Sequence, residues 1–170
     1  MKILVTGFAP FGGEKLNPSW EAVKRLPDHI GGAELIKREL PTEFVASGTV
    51  LHGLLERLRP DAVLCVGQYG GANGIRVERV AVNLRDARIA DNAGRQPTDE
   101  PVVTGGPDAY FATIPTRRIV DALRERDIPA RLSYSAGTFV CNDLLYCALH
   151  ESAQGYPAMR CGFIHVPDLP

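Results

Sequence analysis

The sequence predicts an α/β protein built on a mostly parallel sheet. Three observations carry this. Short apolar runs alternate with helix-patterned segments along the whole chain. Two of those runs, Lys2–Thr6 and Asp61–Gly67, are apolar almost throughout, as strands inside a sheet must be when helices cover both faces. Each is followed by a glycine-rich loop, the place where sites form in such folds.

The elements follow in order. Lys2–Thr6 is the first strand, closed by Gly7, and Phe8–Gly13 is a loop of turn-forming residues. Asn17-Pro18 reads as a helix cap with proline at the first helical position, predicting a helix from Ser19 to about Leu26. Glu34–Leu40 is a second strand. Thr42 opens a helix to Leu58, on the helical spacing of Val45, Leu51, Leu54, Leu55 and Leu58. Asp61–Gly67 is a central strand and Gln68–Asn73 a loop. Ile75–Leu84 is expected as one strand. Arg85 to about Tyr110 reads as a long polar loop, a length usual only for functional or disordered segments. A helix at Pro115–Arg126, a strand at Ala130–Ser135, a helix beginning near Cys141 and ending at His150, and a strand at Cys161–Val166 complete the pattern.

Composition narrows the class. The 170 residues suit one domain, 1–170, with a real core. Hydrophobic residues make up 45% and charged residues 23%, which argues against disorder. A net charge of −1, with arginines scattered rather than clustered, gives no electrostatic basis for binding nucleic acid or an anionic membrane. No apolar run approaches the roughly 20 residues that span a bilayer. The start of the chain breaks into glycine and proline too early for a signal peptide. Cys65, Cys141, Cys147 and Cys161 form no Cys-x-x-Cys pair and no histidine stands at zinc-ligand spacing, so no metal is expected. Cys65 and Cys161, in apolar strands, read as reduced thiols, and the expectation is a cytosolic protein.

Cys141 is the most informative residue. It falls in the first turn of a helix, where unpaired backbone N–H groups favour a thiolate, the nucleophilic form of cysteine. Its alternative is a core thiol, since it shares a helix face with Leu145 and Ala148. A nucleophile needs a base and a group to orient that base. Of the four histidines, His29 lies in a turn, His52 on a helix, and His150 at a helix end, leaving His165 at a strand end as the best base. Glu78 stands in a valine-rich strand and needs a partner, which His165 or Arg79 could supply.

Several strings together resemble the type I pyroglutamyl peptidases. They are Val5–Glu14 with Asn17-Pro-Ser-Trp20, Glu78-Arg-Val-Ala-Val-Asn83, Asp86-Ala-Arg-Ile89 with Asp91-Asn92, Ala136-Gly-Thr-Phe-Val-Cys-Asn142 and Gly162-Phe-Ile-His-Val-Pro167. The resemblance runs in order over essentially the whole chain. It implies a three-layer α/β/α sandwich and a cytosolic homotetramer that needs no cofactor or metal. The implied activity is removal of N-terminal pyroglutamate from peptides. The implied triad is Cys141 as nucleophile, His165 as acid–base and Glu78 as orienting carboxylate. Arg88 and the backbone N–H of Cys141 would hold the oxyanion. Phe8, Phe11 and Phe139 would wall the pyroglutamyl ring, with Gln68 near the lactam and Asn17 toward the peptide backbone. Two departures stand out. Arg76 occupies a position where the family usually has a small hydroxyl residue, and family members continue past His-Val-Pro into a further helix, so the chain is expected to lack that helix or to be trimmed.

Overall fold

The computed structural model describes residues 1–169. Its core is a seven-stranded sheet of β1 (Lys2–Phe8), β2 (His29–Ile30), β3 (Ala33–Leu40), β4 (Ala62–Gln68), β5 (Ile75–Glu78), β8 (Ala130–Ser133) and β9 (Arg160–Val166). They lie in the order β2-β3-β1-β4-β9-β5-β8. The ladders β3–β1, β1–β4, β4–β9 and β5–β8 are parallel. The hairpin β2–β3 and the β5–β9 ladder are antiparallel.

Side chains alternate across the strands, so the sheet feeds two apolar layers. Leu4, Phe8, Val63, Cys65, Cys161 and Phe163 pack under α2 (Ala46–Leu58) and α4 (Val140–Gly155), against Leu51, Leu55, Leu144 and Leu145. Val5, Leu35 and Val66 face α1 (Pro18–Lys24) through Val23, Trp20 and Leu26. Gly162 has no side chain because Ile114, just before α3 (Thr116–Arg124), fills that space; a Cβ there would stand 2.0 Å from its Cδ1. Helices therefore cover both faces. Gly7 plays the same part for α1, whose backbone at Trp20 would lie 2.7 Å from a Cβ.

Three expected boundaries differ. The Ile75–Leu84 run divides at Arg79. Its first half joins the main sheet, and its second half, β6 (Val80–Val82), pairs with β7 (Ala109–Phe111) as a separate ribbon. The backbone of Arg79 serves both neighbours: its N–H donates to Ser133 and its carbonyl accepts from Ala112. The second helix starts at Ala46 rather than Thr42. Thr42 instead donates its hydroxyl to the Ala9 carbonyl, and Asp91 accepts from the Phe44 N–H at 2.7 Å. Val45 follows at φ 66°, ψ −50°, with Ala46 N–H donating to the Phe44 carbonyl across it. This γ-turn is strained for a β-branched residue. The last helix runs to Gly155, so His150 sits inside it, stacked on Tyr146 and 3.0 Å from the Tyr110 hydroxyl, rather than capping its end.

The 85–110 segment is pinned, not loose. Arg85 pairs with fully buried Asp143 at 2.5 Å. Burial pushes the Asp143 carboxyl up while Arg85 pulls it back down. Asn142 clamps the start of the segment through the Val82 N–H and the Val82 and Leu84 carbonyls. Asp91 accepts from the Ala93 and Arg95 N–H groups, closing a tight turn.

Candidate active site

Cys141 occupies the second position of α4, after Phe139 as the N-cap. No side chain caps this helix. The loop Ser135–Thr138 leads into it, and Gly137 there takes φ +78°, a turn conformation that favours glycine. The same first turn carries Asn142 and Asp143, so the nucleophile's helix and the 85–110 segment are held by adjacent residues. Asp86 and Thr138 close the contact, the Thr138 hydroxyl donating to the Asp86 carbonyl at 2.7 Å.

His165, the expected base, lies across the sheet edge. Gly67 on β4 and His165 on β9 are register partners and thus neighbours on one face. Cys141 Sγ sits over Gly67, so close that a Cβ at this position would be 2.9 Å from the sulfur. The absent side chain is what admits the sulfur beside His165. Since β5 runs antiparallel to β9, Arg76 pairs with His165 while Glu78 lies deeper, opposite Phe163. Glu78 reaches His165 diagonally, and its Oε1 is 2.8 Å from Nδ1. Both residues are buried. Its second oxygen, Oε2, has no hydrogen-bond partner. Arg79, the alternative partner, points away and donates to Thr116.

Burial disfavours a charged His165 ring, but Cys141 and then Glu78 outweigh it and raise the imidazole to about 9. The ring therefore holds a proton near neutral pH. The other three thiols are a contrast: burial pushes Cys65, Cys147 and Cys161 each up to about 12.

Cys141 and His165 open on a cavity of about 520 Å³. Phe8, Phe11, Asn17, Gln68, Arg88 and Phe139 also line it, so every residue singled out from the sequence converges here, with Glu78 directly behind His165. Phe11 and Phe139 are tilted neighbours at 6.3 Å between ring centroids. Phe8 is buried in the core, 6.4 Å from Phe163. Two polar side chains are already engaged. Asn17 caps α1 through the Ser19 N–H and binds the Ala9 carbonyl. Gln68 donates to Asp168 at 2.7 Å. Exposed Arg88 forms no ion pair among the described residues.

Sequence reasoning missed three contributors. Tyr69 lines the cavity and meets His165 edge-on at 5.6 Å. Phe44, presented by the strained turn at Val45, packs T-shaped on Phe139 at 5.2 Å. Gly67 read as the end of a strand and the start of a tight turn, not as the seat of the Cys141 sulfur. Each depends on contacts between distant segments, and none carries a local signal.

Among the described residues no group of three metal-ligating side chains occurs and no helix is long and apolar enough to cross a membrane.

Comparison with known proteins gives the family of the chain. A family model described as pyroglutamyl peptidase matches residues 1–170. A pyrrolidone-carboxylate peptidase of Enterococcus faecalis is 54% identical over 170 residues, all of this chain and 80% of that one. Another, from Chromobacterium violaceum, is 57% identical, covering 99% of this chain and 78% of that one. The crystal structure of Bacillus amyloliquefaciens pyroglutamyl peptidase I superposes with a TM-score of 0.97 at 49% identity, covering 99% of this chain and 82% of that one. A mutant pyrrolidone carboxyl peptidase from Pyrococcus furiosus gives 0.96, covering all of this chain and 82% of that one. The cysteine at a helix start, the buried histidine beside it and the phenylalanine-walled cavity thus stand in a chain that belongs to the pyroglutamyl peptidase family.

Proposed function

We propose that the chain removes N-terminal pyroglutamate from peptides through a Cys141–His165–Glu78 triad and a thioester intermediate. The observation that carries this reading is His165 held between the sulfur of Cys141 and the carboxylate of Glu78, at the mouth of an aromatic cavity.

With His165 holding the proton, Cys141 Sγ attacks the carbonyl carbon joining pyroglutamate to the next residue. The oxyanion forms beside the first turn of α4, within reach of the Cys141 N–H, with Arg88 as the cation lining the same cavity. His165 Nε2 then protonates the departing amine, and the peptide leaves. Water enters, gives its proton to His165 and hydrolyses the thioester, releasing pyroglutamate. Glu78 keeps Nδ1 protonated and the ring turned toward the sulfur throughout. The flat, uncharged lactam suits the space between Phe11 and Phe139. Asn17 and Gln68 shape that space, since their amides are tied to the chain's own groups.

The test is release of aminomethylcoumarin from its L-pyroglutamyl amide, with the prolyl and glutamyl amides as controls. Selective release from the pyroglutamyl amide is expected. No release, or equal release from the prolyl amide, overturns the reading.

Glu78→Gln gives a finer check. The amide retains a hydrogen-bonding oxygen but not the charge that favours imidazolium. Activity is expected to fall by roughly 10²–10⁴-fold, the range for mispositioned acid–base groups. The direction of the pH effect follows from the raised histidine. Protonated His165 is present below about 9 and is lost as pH rises through that value, so the alkaline limb of kcat/KM lies near 9 in the wild type. In Glu78→Gln that limb moves to lower pH. An unmoved limb means that Glu78 does not act on His165.

A further inference from the structure

We propose that a second cavity, beside the catalytic one, is a carboxylate-binding subsite for the leaving chain of the peptide, with Arg76 as its central contact. The inference rests on the peptidase reading above.

This cavity, of about 380 Å³, is lined by the loop from Gly71 to Ile75, by Arg76, and by Arg124 and Arg131. No aspartate or glutamate lines it. Arg76 and Arg131 are direct register partners on β5 and β8, and like charges placed opposite each other repel. Arg124 is steadied at the rim, its Nε donating to the Ala130 carbonyl at 2.8 Å. Among the described residues none of the three arginines has an ion-pair partner. Arg76 Nε is buried and makes no hydrogen bond. Asp168, which reaches this loop from beyond β9, holds Gln68 and the Gly71 N–H and lines a different cavity. Three cations around one space suit a carboxylate, which guanidinium groups bind with paired N–H donors. A bound carboxylate would also relieve the Arg76–Arg131 repulsion.

Position assigns the carboxylate to the substrate. The antiparallel run of β5 brings its first residues, and Arg131 beside them, to the edge of the sheet where His165 ends β9. The loop after Gln68 is the common wall of the two cavities, Tyr69 lining the catalytic one and Gly71 the basic one. The Tyr69 ring touches both sides, edge-on to His165 and 3.4 Å from Arg76 Cζ. In the mechanism above the ring of pyroglutamate lies at Phe11 and Phe139, while the departing amine takes its proton from His165. The leaving chain therefore starts on the His165 side, and its next residues run past Tyr69 toward Arg76. An aspartate or glutamate side chain, or the terminal carboxylate of a very short peptide, would enter the basic cavity.

The experiment compares amide-capped pyroglutamyl peptides carrying Asp, Asn or Lys at the first, second or third position after the scissile bond. The readout is the ratio of kcat/KM for Asp over Asn within each protein variant, so loss of overall activity does not enter. On the order of tenfold preference for Asp is expected at one position at low ionic strength, weakening as salt is added. Lys is expected to be disfavoured there. Arg76→Gln should bring the ratio to about one, and Arg131→Gln, at an exposed position, should lower it in part. A ratio of one at every position in the wild type, or an unchanged ratio in Arg76→Gln, overturns the proposal. Calorimetric titration of the same peptides into Cys141→Ala separates this from the activity itself. If no peptide is cleaved the peptidase reading fails, whereas tighter binding of the Asp peptide, lost on Arg76→Gln, still supports the subsite and equal binding removes it. Inorganic phosphate is the competitor that identifies the source: displacement of Asp and Asn peptides alike, with no Asp preference, means a free-anion site and overturns the assignment.

Discussion

Replacing Cys141 by alanine is expected to lower kcat for a pyroglutamyl amide by on the order of 10⁵–10⁶-fold, as removal of the nucleophile does in a triad acting as a unit. Nothing else in the cavity can take over. Of the other three thiols, Cys65 and Cys161 lie in the sheet core, and Cys147 is two turns along α4, facing Gly48 of α2. All three are pushed up to about 12 by burial, so they stay protonated at neutral pH. The same contrast predicts the labelling pattern. At pH 7 iodoacetamide should modify one thiol per chain, mapped by mass spectrometry to the peptide with Cys141, and Cys141→Ala should leave the chain unlabelled. The substitution removes a single half-buried sulfur, so urea unfolding should change little. Retained turnover in Cys141→Ala, or equal labelling of Cys147, would sink the triad.

The residues of the proposed triad were legible because short strings carry them. Cys141, His165 and Glu78 each sit in a local context that marks a helix start, a strand end or a charge in an apolar run. Their association was not legible from spacing, since Glu78 and His165 are 87 residues apart and meet only through the β5–β9 ladder. Strand direction is also silent in sequence. An alternating run such as Ile75–Glu78 has the same pattern either way, yet only the antiparallel arrangement puts Glu78 beneath His165 and Arg76 at the open edge. The errors have the same origin. Thr42 looked like a helix opener because the groups that hold this stretch are distant: Ala9, which accepts from the Thr42 hydroxyl, is 33 residues away, and Asp91, which accepts from the Phe44 N–H, is 47 residues from it. The alternation of the Ile75–Leu84 run shifts phase at Glu78-Arg79, and the strand divides there because its second half pairs with Ala109–Phe111, inside a segment read as loop.

Gly67 shows how a position with no chemistry of its own can control the site. A Cβ there would lie 2.7 Å from Phe163 Cζ and 2.9 Å from Cys141 Sγ, inside any normal contact distance. The backbone itself tolerates alanine, because Gly67 is not among the residues with positive φ. The cost is therefore steric, and one of the two neighbours must move. Phe163 is fully buried between Phe8 and His165, with centroids 6.4 and 4.8 Å away, and has no room to retreat. The sulfur, at the cavity mouth, is the part that shifts. A displacement of about 1 Å in a reacting group can cost 10²-fold in rate. Gly67→Ala is thus expected to reduce kcat by roughly 10²-fold or more, while overpacking lowers stability by about 1–3 kcal/mol. Gly53 supplies the matched control. It lies inside α2 with nothing within 4 Å of a Cβ, so Gly53→Ala should leave kcat unchanged and stabilise the fold by about 0.5–1 kcal/mol. Steady-state kinetics and urea unfolding of the two variants separate loss of geometry from loss of fold. Wild-type kcat in Gly67→Ala would mean that Cys141 does not work from its seat beside His165, and the mechanism built on that seat would have to be abandoned.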